Sequence, residues 1–251
     1  MVKKTGIDLN GEATGILFNL NNVGPVELAT TAFGQGINVT AIQQVSAVSA
    51  IVNGGTLYTP YIVSSIGDKD NNLKVKKEKI ITKETSNLVK YALESVVAYG
   101  SGRNAYIENN RIGGKTGTAQ KVGSDGRYMY GNYVLSFISF MPANNPEYVI
   151  YIALDHPTGV TQYGGVVSAP ITRNVLKDIM SIYNIPESKD GIPKSYRWDD
   201  IVYVTVPDIV GKQKKKLKCS LKTLMLNLWE MVIKYLPLPH LVVWKLKWVQ
   251  L

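Results

Sequence analysis

Several residue types that carry chemistry or cross-link small folds are scarce in this 251-residue sequence. A single cysteine, Cys219, excludes an internal disulfide framework, and with only two histidines beside it the sequence argues against a zinc site. No apolar run reaches the length of about 18 residues that a membrane-spanning helix needs. The N-terminal lysines are not followed by the apolar core of a signal peptide. We therefore expect no metal, no cofactor, and no signal or anchor within this chain.

Acidic residues are scarce only at one end of the chain. The formal net charge is +9. Residues 1–211 hold 19 Lys+Arg and 18 Asp+Glu, whereas 212–251 hold nine lysines and one acidic residue, Glu230. A basic chain suggests a nucleic-acid or anionic-membrane partner, but the body of this one is nearly neutral. We therefore expect no nucleic-acid partner, and the two parts need separate explanations.

Three helices are predicted in the body. Thr40 is a typical N-cap, and Asn53-Gly54-Gly55 ends that first, buried helix. A second helix is predicted over Lys83–Tyr99 and a third over Val166–Tyr183, after Gly164-Gly165. The apolar sides predicted for the first two are Ile42, Val45, Ser49 and Val52, and Leu88, Tyr91, Ala92, Ser95 and Val96.

Four strands are predicted between these helices, over 59–68, 111–122, 132–143 and 147–157. The last two are expected to be antiparallel neighbours because a short Asn-Asn-Pro turn separates them. The glycine-rich strand 111–122 is expected to be one that something approaches closely. The order of the elements predicts an α+β fold, an antiparallel sheet flanked by helices.

The strand over 111–122 carries Lys115-Thr116-Gly117-Thr118, a pattern suited to an acyl-transfer site. The Lys115 ammonium can hold a carboxylate or lower a neighbouring pKa. The hydroxyls of Thr116 and Thr118 can donate to a ligand carboxylate or carbonyl. Gly117 can let a substrate backbone lie along the strand, and the backbone N–H of Thr118 can help to stabilise an oxyanion. A surface turn is the alternative for the triplet taken alone.

Longer segments around this motif resemble the C-terminal half of a class B penicillin-binding protein transpeptidase domain. These segments are 3–17, 33–63, 112–120, 136–157 and 164–179, and K-T-G is the third motif of that family. The resemblance implies the incomplete fold of a penicillin-binding protein or serine β-lactamase. It assigns Lys115, Thr116, Gly117 and Thr118 to the third motif. It also makes Phe33-Gly34-Gln35-Gly36 a structural segment near the groove.

The resemblance also implies an activity and partners. In that family a serine attacks the penultimate D-Ala of a peptidoglycan stem peptide, D-Ala leaves, and the amine of a neighbouring stem takes the acyl group. β-Lactams acylate the same serine. The implied ligands are therefore stem peptides and β-lactams. The implied parent is anchored in the cell membrane, with this domain on its extracytoplasmic face, and takes part in a division or sporulation cell-wall complex.

The nucleophile motif of that family, S-x-x-K, is absent. No serine of the chain has lysine three residues later, and no S-x-N second motif occurs. Ser86 comes nearest, with Lys90 four residues on, which is the wrong spacing. Tyr130-Gly131-Asn132 follows K-T-G instead of preceding it and is interpreted as a turn. The catalytic serine, its lysine base and the anchor are expected upstream, so this polypeptide alone is expected to have no transpeptidase turnover.

The resemblance divides the chain into four parts. Residues 1–185 are the C-terminal part of the transpeptidase domain, 186–204 a linker, and 205–212 the start of a PASTA module. Residues 213–251 are interpreted as the product of a reading-frame shift, poorly ordered and with exposed apolar surface. The alternative for this tail is a basic, tryptophan-rich segment lying on an anionic membrane.

Other residues of the body are candidates for a role in a site. Asp155-His156-Pro157 is interpreted as a turn that ends a strand, and Arg103 and Asn104 as a solvated loop, with contact at the rim of the site as the alternative. Tyr128 and Tyr130 are placed in a hairpin past the motif strand, and the alternative to a plain hairpin is that it borders the groove. At the level of function, the alternative to an enzyme fragment is a non-catalytic module that binds stem peptides of the cell wall.

Overall fold

A three-stranded antiparallel sheet holds the K-T-G segment. The computed structural model describes residues 3–67, 69–70 and 77–194. Its helices are α1 (Pro25–Ala32), α2 (Ala41–Val52), α3 (Lys83–Ala98) and α4 (Gly164–Tyr183), with short 3-10 helices at Leu20–Asn22 and Arg103–Ala105. Its strands are β1 (Thr56–Tyr58), β2 (Ser65–Ile66), β3 (Lys69–Asp70), β4 (Lys77–Lys79), β5 (Gly113–Val122), β6 (Tyr128–Met141) and β7 (Tyr148–Asp155).

The main sheet has the order β5-β6-β7, and both pairs are antiparallel. The predicted motif strand and the two predicted neighbours are therefore confirmed, as is the α+β fold. Small antiparallel pairs, β1 with β4 and β2 with β3, lie outside this sheet. Because β5 is at the edge, one side of its backbone faces away from the sheet.

The sheet has a helix-covered core on each face. Phe137 and Phe140 of β6 are three residues apart and so point to opposite faces. Phe137 packs in a cluster with Leu176 of α4, whereas Phe140 packs with Val52 of α2. Leu176 and Val52 are both buried, and the two clusters hold the strands that carry the site.

Helix α2 begins where its cap residue predicts. The Thr40 hydroxyl accepts the Gln43 N–H at 3.3 Å, and the Gln43 side-chain oxygen accepts the Thr40 N–H at 2.9 Å. This reciprocal capping box satisfies two backbone donors at the helix start. The Gln43 amide also donates to the Lys3 carbonyl at 3.0 Å, which ties the N-terminal segment to the helix. Ile42, Val45 and Ser49 are half-buried, and Val52 is buried.

Helix α3 ends one residue before the predicted Tyr99. Its predicted inner side is wrong at three of five positions, since only Ser95 and Val96 are half-buried. Leu88 and Tyr91 are 71% and 63% exposed, and Ala92 is exposed too. The buried side instead carries Glu94, whose carboxylate receives two hydrogen bonds from the Arg111 guanidinium, at 2.7 and 3.0 Å. Paired in this way, a carboxylate can be buried, and the bonds to Glu94 raise the pKa of Arg111 above its ordinary value.

The strand predicted over 59–68 is mostly wrong. Of the described residues of that stretch, 59–67, only Ser65–Ile66 is in a strand. Pro60 has no N–H to give, and the N–H groups of Ile62 and Val63 donate to the Asp8 carboxylate at 2.8 and 2.9 Å. A carboxylate thus takes the donors that a neighbouring strand would need. These backbone bonds, that of Val63 first, lower the pKa of Asp8 below its ordinary value.

The segment Phe33–Gly36 closes helix α1. The N–H of Gly34 donates to the Thr31 carbonyl and that of Gln35 to the Thr30 carbonyl, both at 3.0 Å. Gly36 has a φ of +79°, and a Cβ there would lie 2.5 Å from the Phe18 ring. The segment therefore ends a helix and accommodates an aromatic ring, and its position near a groove stays a prediction.

Residues 186–192, which we call the strap, follow helix α4 and are bonded to the body. The Ser188 N–H donates to the Asn109 carbonyl at 2.7 Å, and the Ile192 N–H donates to the Glu94 carboxylate at 3.4 Å. The strap is the first part of the predicted linker. Most of the rest of that linker, the predicted PASTA start and the tail over 213–251 lie outside the described residues. Within the described ranges, no helix is long and apolar enough to cross a membrane.

Candidate functional site

The motif strand begins with two glycines because aromatic rings of β6 lie against them. A Cβ on Gly113 would lie 2.2 Å from the Phe140 ring, and one on Gly114 would lie 2.7 Å from the Phe137 ring. Both distances are shorter than any real contact, so no larger residue fits without a shift of the rings. The predicted close approach is confirmed, and here the approaching groups belong to the same chain.

Gly117 accommodates a hydroxyl of the neighbouring strand. A Cβ on Gly117 would lie 2.3 Å from the Ser136 Oγ, and the two residues are partners in the β5–β6 ladder. The purpose predicted for this glycine is a different one, access for a substrate backbone. The structure supplies an internal reason for the glycine, and the ligand-related reason stays a prediction.

The start of helix α4 lies directly against the motif. The Gly164 N–H donates to the Thr118 Oγ1 at 3.2 Å. A Cβ on Gly164 would lie 2.4 Å from the Gly117 carbonyl oxygen, and one on Gly165 would lie 2.3 Å from the Ser101 carbonyl oxygen. Both glycines belong to the helix, which begins two residues before the predicted Val166, because only glycine permits this approach to the strand.

The Thr118 hydroxyl keeps a hydrogen atom that a ligand could use, and the Thr116 hydroxyl keeps its own when Ser101 is the donor between them. In its bond with Gly164, Thr118 Oγ1 uses a lone pair and not its own hydrogen. Thr116 Oγ1 lies 3.0 Å from Ser101 Oγ, and either oxygen can be the donor. Thr116 and Thr118 are half-buried and Ser101 is exposed, so these hydroxyls border solvent at the edge of the sheet.

The register shows which way the backbone of Thr118 points. The carbonyl oxygens of Gly117 and Ser136 would each lie 2.4 Å from a Cβ on Gly164. The two carbonyl oxygens are therefore close to each other. In an antiparallel ladder this occurs only when both carbonyls point into the space between the strands, so Gly117 and Ser136 form a hydrogen-bonded pair. Backbone groups alternate along a strand, and Thr118 therefore directs its N–H away from β6, towards the open edge of β5.

Lys115 lies on the same edge strand and is exposed. Its ammonium donates to the Thr116 carbonyl at 2.9 Å. Since Thr116 and Thr118 are two residues apart, that carbonyl also lies on the open edge. The edge thus brings together an ammonium, two hydroxyls and the Thr118 N–H, which together can bind a carboxylate and a polarised carbonyl oxygen.

Ser86 and Lys90 do not form part of this group. Ser86 is buried, and its hydroxyl accepts the Gly54 N–H at 3.1 Å. The Lys90 ammonium donates to the Asn144 carbonyl at 3.2 Å. Their bonds are to backbone groups at the ends of other elements, so the structure gives both residues a packing role, as their spacing predicts.

The turn predicted at Tyr130-Gly131-Asn132 is wrong. These residues lie inside β6, where Gln120 pairs with Tyr133 but Val122 already pairs with Tyr128. The extra residues form a bulge in which Gly131 has a φ of +77° and the Asn132 amide donates to the Tyr130 carbonyl at 3.0 Å. The hairpin itself is confirmed, with its turn over 123–127, and Tyr130 is 95% exposed. Whether it borders a groove stays a prediction.

The remaining candidates lie at the ends of elements. Asp155 ends β7 and forms an ion pair with Lys121 at 2.7 Å, and His156 follows in a left-handed conformation with φ +48°, so the predicted strand end is confirmed. Arg103 and Asn104 are not in the predicted loop, although Asn104 is exposed as predicted. Both are in a 3-10 helix, and the Asn104 amide donates to the Gly165 carbonyl at 2.8 Å, which fixes the start of α4.

Sequence reasoning missed two participants in the site, Ser101 and Gly164. In the sequence, Ser101 lies between two glycines directly after the helix predicted over Lys83–Tyr99, and Gly164 lies just before the helix predicted over Val166–Tyr183. A hydroxyl between two glycines is compatible with a close approach to another element. That signal was present, but nothing in the sequence says which element is approached.

Comparison with known proteins agrees with this geometry. The family described as penicillin binding protein transpeptidase domain matches residues 2–177, well over half of the chain. The chain belongs to this family. The resemblance stated from the motifs is thereby confirmed.

Relatives and solved structures of this family extend the agreement. Stage V sporulation protein D of Bacillus subtilis is 52% identical over 232 residues, covering 90% of this chain and 35% of that protein. Peptidoglycan D,D-transpeptidase FtsI of Escherichia coli is 31% identical over 184 residues, covering 73% of this chain and 30% of that protein. Penicillin binding protein 3 of Mycobacterium tuberculosis, solved with ampicillin, has a TM-score of 0.67 at 28% identity, covering 74% of this chain and 44% of that one. The chain thus spans about a third of the length of these curated relatives.

Proposed function

We propose that this chain forms the substrate-binding wall of a peptidoglycan D,D-transpeptidase. The observation that carries the proposal is the open edge of β5, where the Thr118 N–H, two threonine hydroxyls and the Lys115 ammonium lie together. In this proposal Lys115 and the hydroxyls of Thr116 and Thr118 hold a carboxylate of the ligand. The Thr118 N–H stabilises the oxyanion that forms when the scissile carbonyl is attacked.

The chemistry proposed is serine acyl transfer. A serine hydroxyl attacks the carbonyl of the penultimate D-Ala, the terminal D-Ala leaves as the amine, and an amine of a second stem peptide then takes the acyl group and frees the serine. The 251 residues contain no S-x-x-K, so the proposal requires a serine and its lysine base from outside them. By itself the chain binds and polarises but does not form the acyl bond.

Names and ligands of relatives support this class of reaction. The Escherichia coli relative is named a peptidoglycan D,D-transpeptidase, and a solved relative holds ampicillin. By analogy we assign stem peptides and β-lactams as ligands of this chain and place it on the extracytoplasmic face of the membrane in a cell-wall complex. We retain the assignment of 1–185 to the transpeptidase domain, with a linker up to 204 and a PASTA start at 205–212.

The test supplies the missing serine from a relative. In a chimera, this chain replaces the aligned part of Stage V sporulation protein D, and labelling by a fluorescent penicillin is measured beside the unmodified relative. We expect the chimera to be labelled and the 251-residue chain alone to stay unlabelled. Lys115→Met should lower the labelling rate constant by about 10²- to 10³-fold, whereas Lys121→Met, on the same strand but paired with Asp155, should leave it unchanged.

Three results would contradict the proposal. A folded chimera that is not labelled, while the unmodified relative is, would show that this strand does not serve an acylation site. Equal losses of labelling rate with Lys115→Met and Lys121→Met would show that the ammonium at the motif contributes no more than another lysine on the same strand. Labelling of the chain alone would show that a nucleophile outside S-x-x-K acts. If the chimera fails and the chain alone is retained by purified peptidoglycan, the non-catalytic wall-binding module takes the place of the enzyme.

A further inference from the structure

Ser101 lies outside the motif strand but is bonded to it. It follows α3 in a tight corner in which the N–H groups of Gly100 and Gly102 both donate to the Val96 carbonyl, at 3.0 and 3.1 Å. This corner places Ser101 Oγ 3.0 Å from Thr116 Oγ1. Ser101 is exposed, so its hydroxyl is at the surface from which a ligand would reach the motif.

A second set of contacts fixes the same corner from the other side. The Ser101 carbonyl oxygen would lie 2.3 Å from a Cβ on Gly165, at the start of α4. The Asn104 amide donates to the Gly165 carbonyl at 2.8 Å. Three elements therefore meet around Thr116, namely the corner after α3, the edge strand β5 and the start of α4. Ser101 is held there by backbone packing and not by its own side chain.

These contacts select one orientation of the Thr116 side chain. Thr116 Cγ2 faces Gly165, at 3.2 Å from where its Cβ would be, while Thr116 Oγ1 faces Ser101. A β-branched side chain has few χ1 rotamers, and the two contacts agree on the same one. Because each hydroxyl carries one hydrogen, and one of the two hydrogens is used between Ser101 and Thr116, the other remains directed elsewhere.

We propose that Ser101 is a positioning residue that orients the Thr116 hydroxyl for the carboxylate of the ligand. This inference rests on the proposed function, since it concerns how the same wall recognises an anion. Ser101 acts through Thr116: with Ser101 as donor, the hydrogen of Thr116 is free and aimed at the open edge beside the free hydrogen of Thr118. Removing the Ser101 hydroxyl lets Thr116 leave this rotamer or direct its hydrogen elsewhere.

The experiment uses the labelled chimera and two ligands. The acylation rate constant is measured with a fluorescent penicillin and with its methyl ester, which lacks the anionic carboxylate. Ser101→Ala should lower the rate constant for the free acid about three- to tenfold, with a much smaller change for the ester. Ser101→Thr, which keeps the hydroxyl, should keep most of the rate. Ser95→Ala is the matched control, because the bond of that hydroxyl to the Tyr91 carbonyl lies within α3, and it should change neither rate.

A double-mutant comparison separates positioning from a general structural effect. Once Thr116→Val has removed the partner hydroxyl, Ser101→Ala should cause little further loss, since both act through one hydroxyl. The thermal unfolding temperature of Ser101→Ala should match that of the unsubstituted chimera. The inference is overturned if Ser101→Ala leaves the rate constant for the free acid unchanged or lowers the rate constants for the acid and the ester by the same factor. It is also overturned if the loss caused by Ser101→Ala adds in full to the loss caused by Thr116→Val. An unlabelled unsubstituted chimera is a failure of the proposed function, whereas a labelled one that ignores Ser101→Ala refutes this inference alone.

Discussion

Replacing Gly117 by alanine tests why the motif contains a glycine. The new Cβ would lie 2.3 Å from Ser136 Oγ, far inside contact distance, but 3.7 Å from Ser136 Cβ, which is an ordinary contact. The overlap is thus with the hydroxyl alone. Overpacking of this kind costs about 1–3 kcal/mol, while Gly→Ala in a strand returns about 0.5–1 kcal/mol of chain entropy. We expect Gly117→Ala to lower the free energy of unfolding by about 1–2 kcal/mol.

The same geometry predicts a rescue. In Gly117→Ala/Ser136→Ala the overlapping oxygen is gone and two methyl groups meet at a normal distance, so the free energy of unfolding should return to at least the starting value. Urea unfolding of the four proteins of this cycle measures the coupling directly, which should be favourable by about 1–3 kcal/mol. A double variant that is as unstable as Gly117→Ala would refute the reasoning, because the clash would then lie elsewhere.

Labelling of the same variants in the chimera decides whether Gly117 also serves the ligand. If a substrate backbone lies along β5 at Gly117, as the sequence predicts, the double variant should recover its stability while its labelling by penicillin stays low. If the space at Gly117 is needed only for the Ser136 hydroxyl, stability and labelling should recover together. Equal recovery would remove the ligand-related purpose assigned to this glycine.

Three further predictions concern the helices and the N-terminal segment. Glu94→Gln should lower the free energy of unfolding in urea by about 2–4 kcal/mol, because it leaves Arg111 without its buried partner charge; a loss below about 0.5 kcal/mol would mean the pair is not desolvated. Thr40→Ala should cost about 1 kcal/mol in the same assay through loss of the cap to Gln43, and a neutral result would contradict the capping box. The Asp8 carboxyl has a lowered pKa in the folded state, so its contribution to stability is present above its unfolded-state pKa near 3.8 and is lost as the pH falls below it. Unfolding of Asp8→Asn measured from neutral pH down to about pH 3 should therefore show a smaller acid-induced loss than the unsubstituted chain, and parallel curves would contradict this.

Local signals predicted the elements around the site well. Thr40 satisfies a backbone donor at its own helix start, so its position could be inferred without any tertiary contact. The strands of the main sheet follow from their β-branched and aromatic residues, and the glycines at 113 and 114 indicate that another group packs closely against the motif strand. For Thr40 the physical cause lies within three residues in the sequence, whereas Gly113 and Gly114 indicate that a group approaches but not that it is the ring of Phe140 or Phe137.

The failures share one cause, which is a partner distant in the sequence. The inner side of α3 could not be found from hydrophobicity because Glu94 is buried only through Arg111. The stretch around Ile62 has the composition of a strand, but its N–H groups are taken by Asp8, more than fifty residues earlier. The bulge at Gly131 needed the register with β5 to be known. Ser101 belongs to the same class, since its role depends on an oxygen of Thr116 across a corner of the fold.

The strap shortens the distance from the body that the chain following it can span. A flexible tether over 186–204 would span at most about 65 Å, whereas one that starts only after Ile192 spans at most about 40 Å. The volume that such a tether searches grows with its length to the power of about 3/2. If the residues after the strap form the linker that the sequence predicts, the two hydrogen bonds from strap N–H groups to the Asn109 carbonyl and the Glu94 carboxylate would raise the local concentration of an attached module near the body roughly twofold.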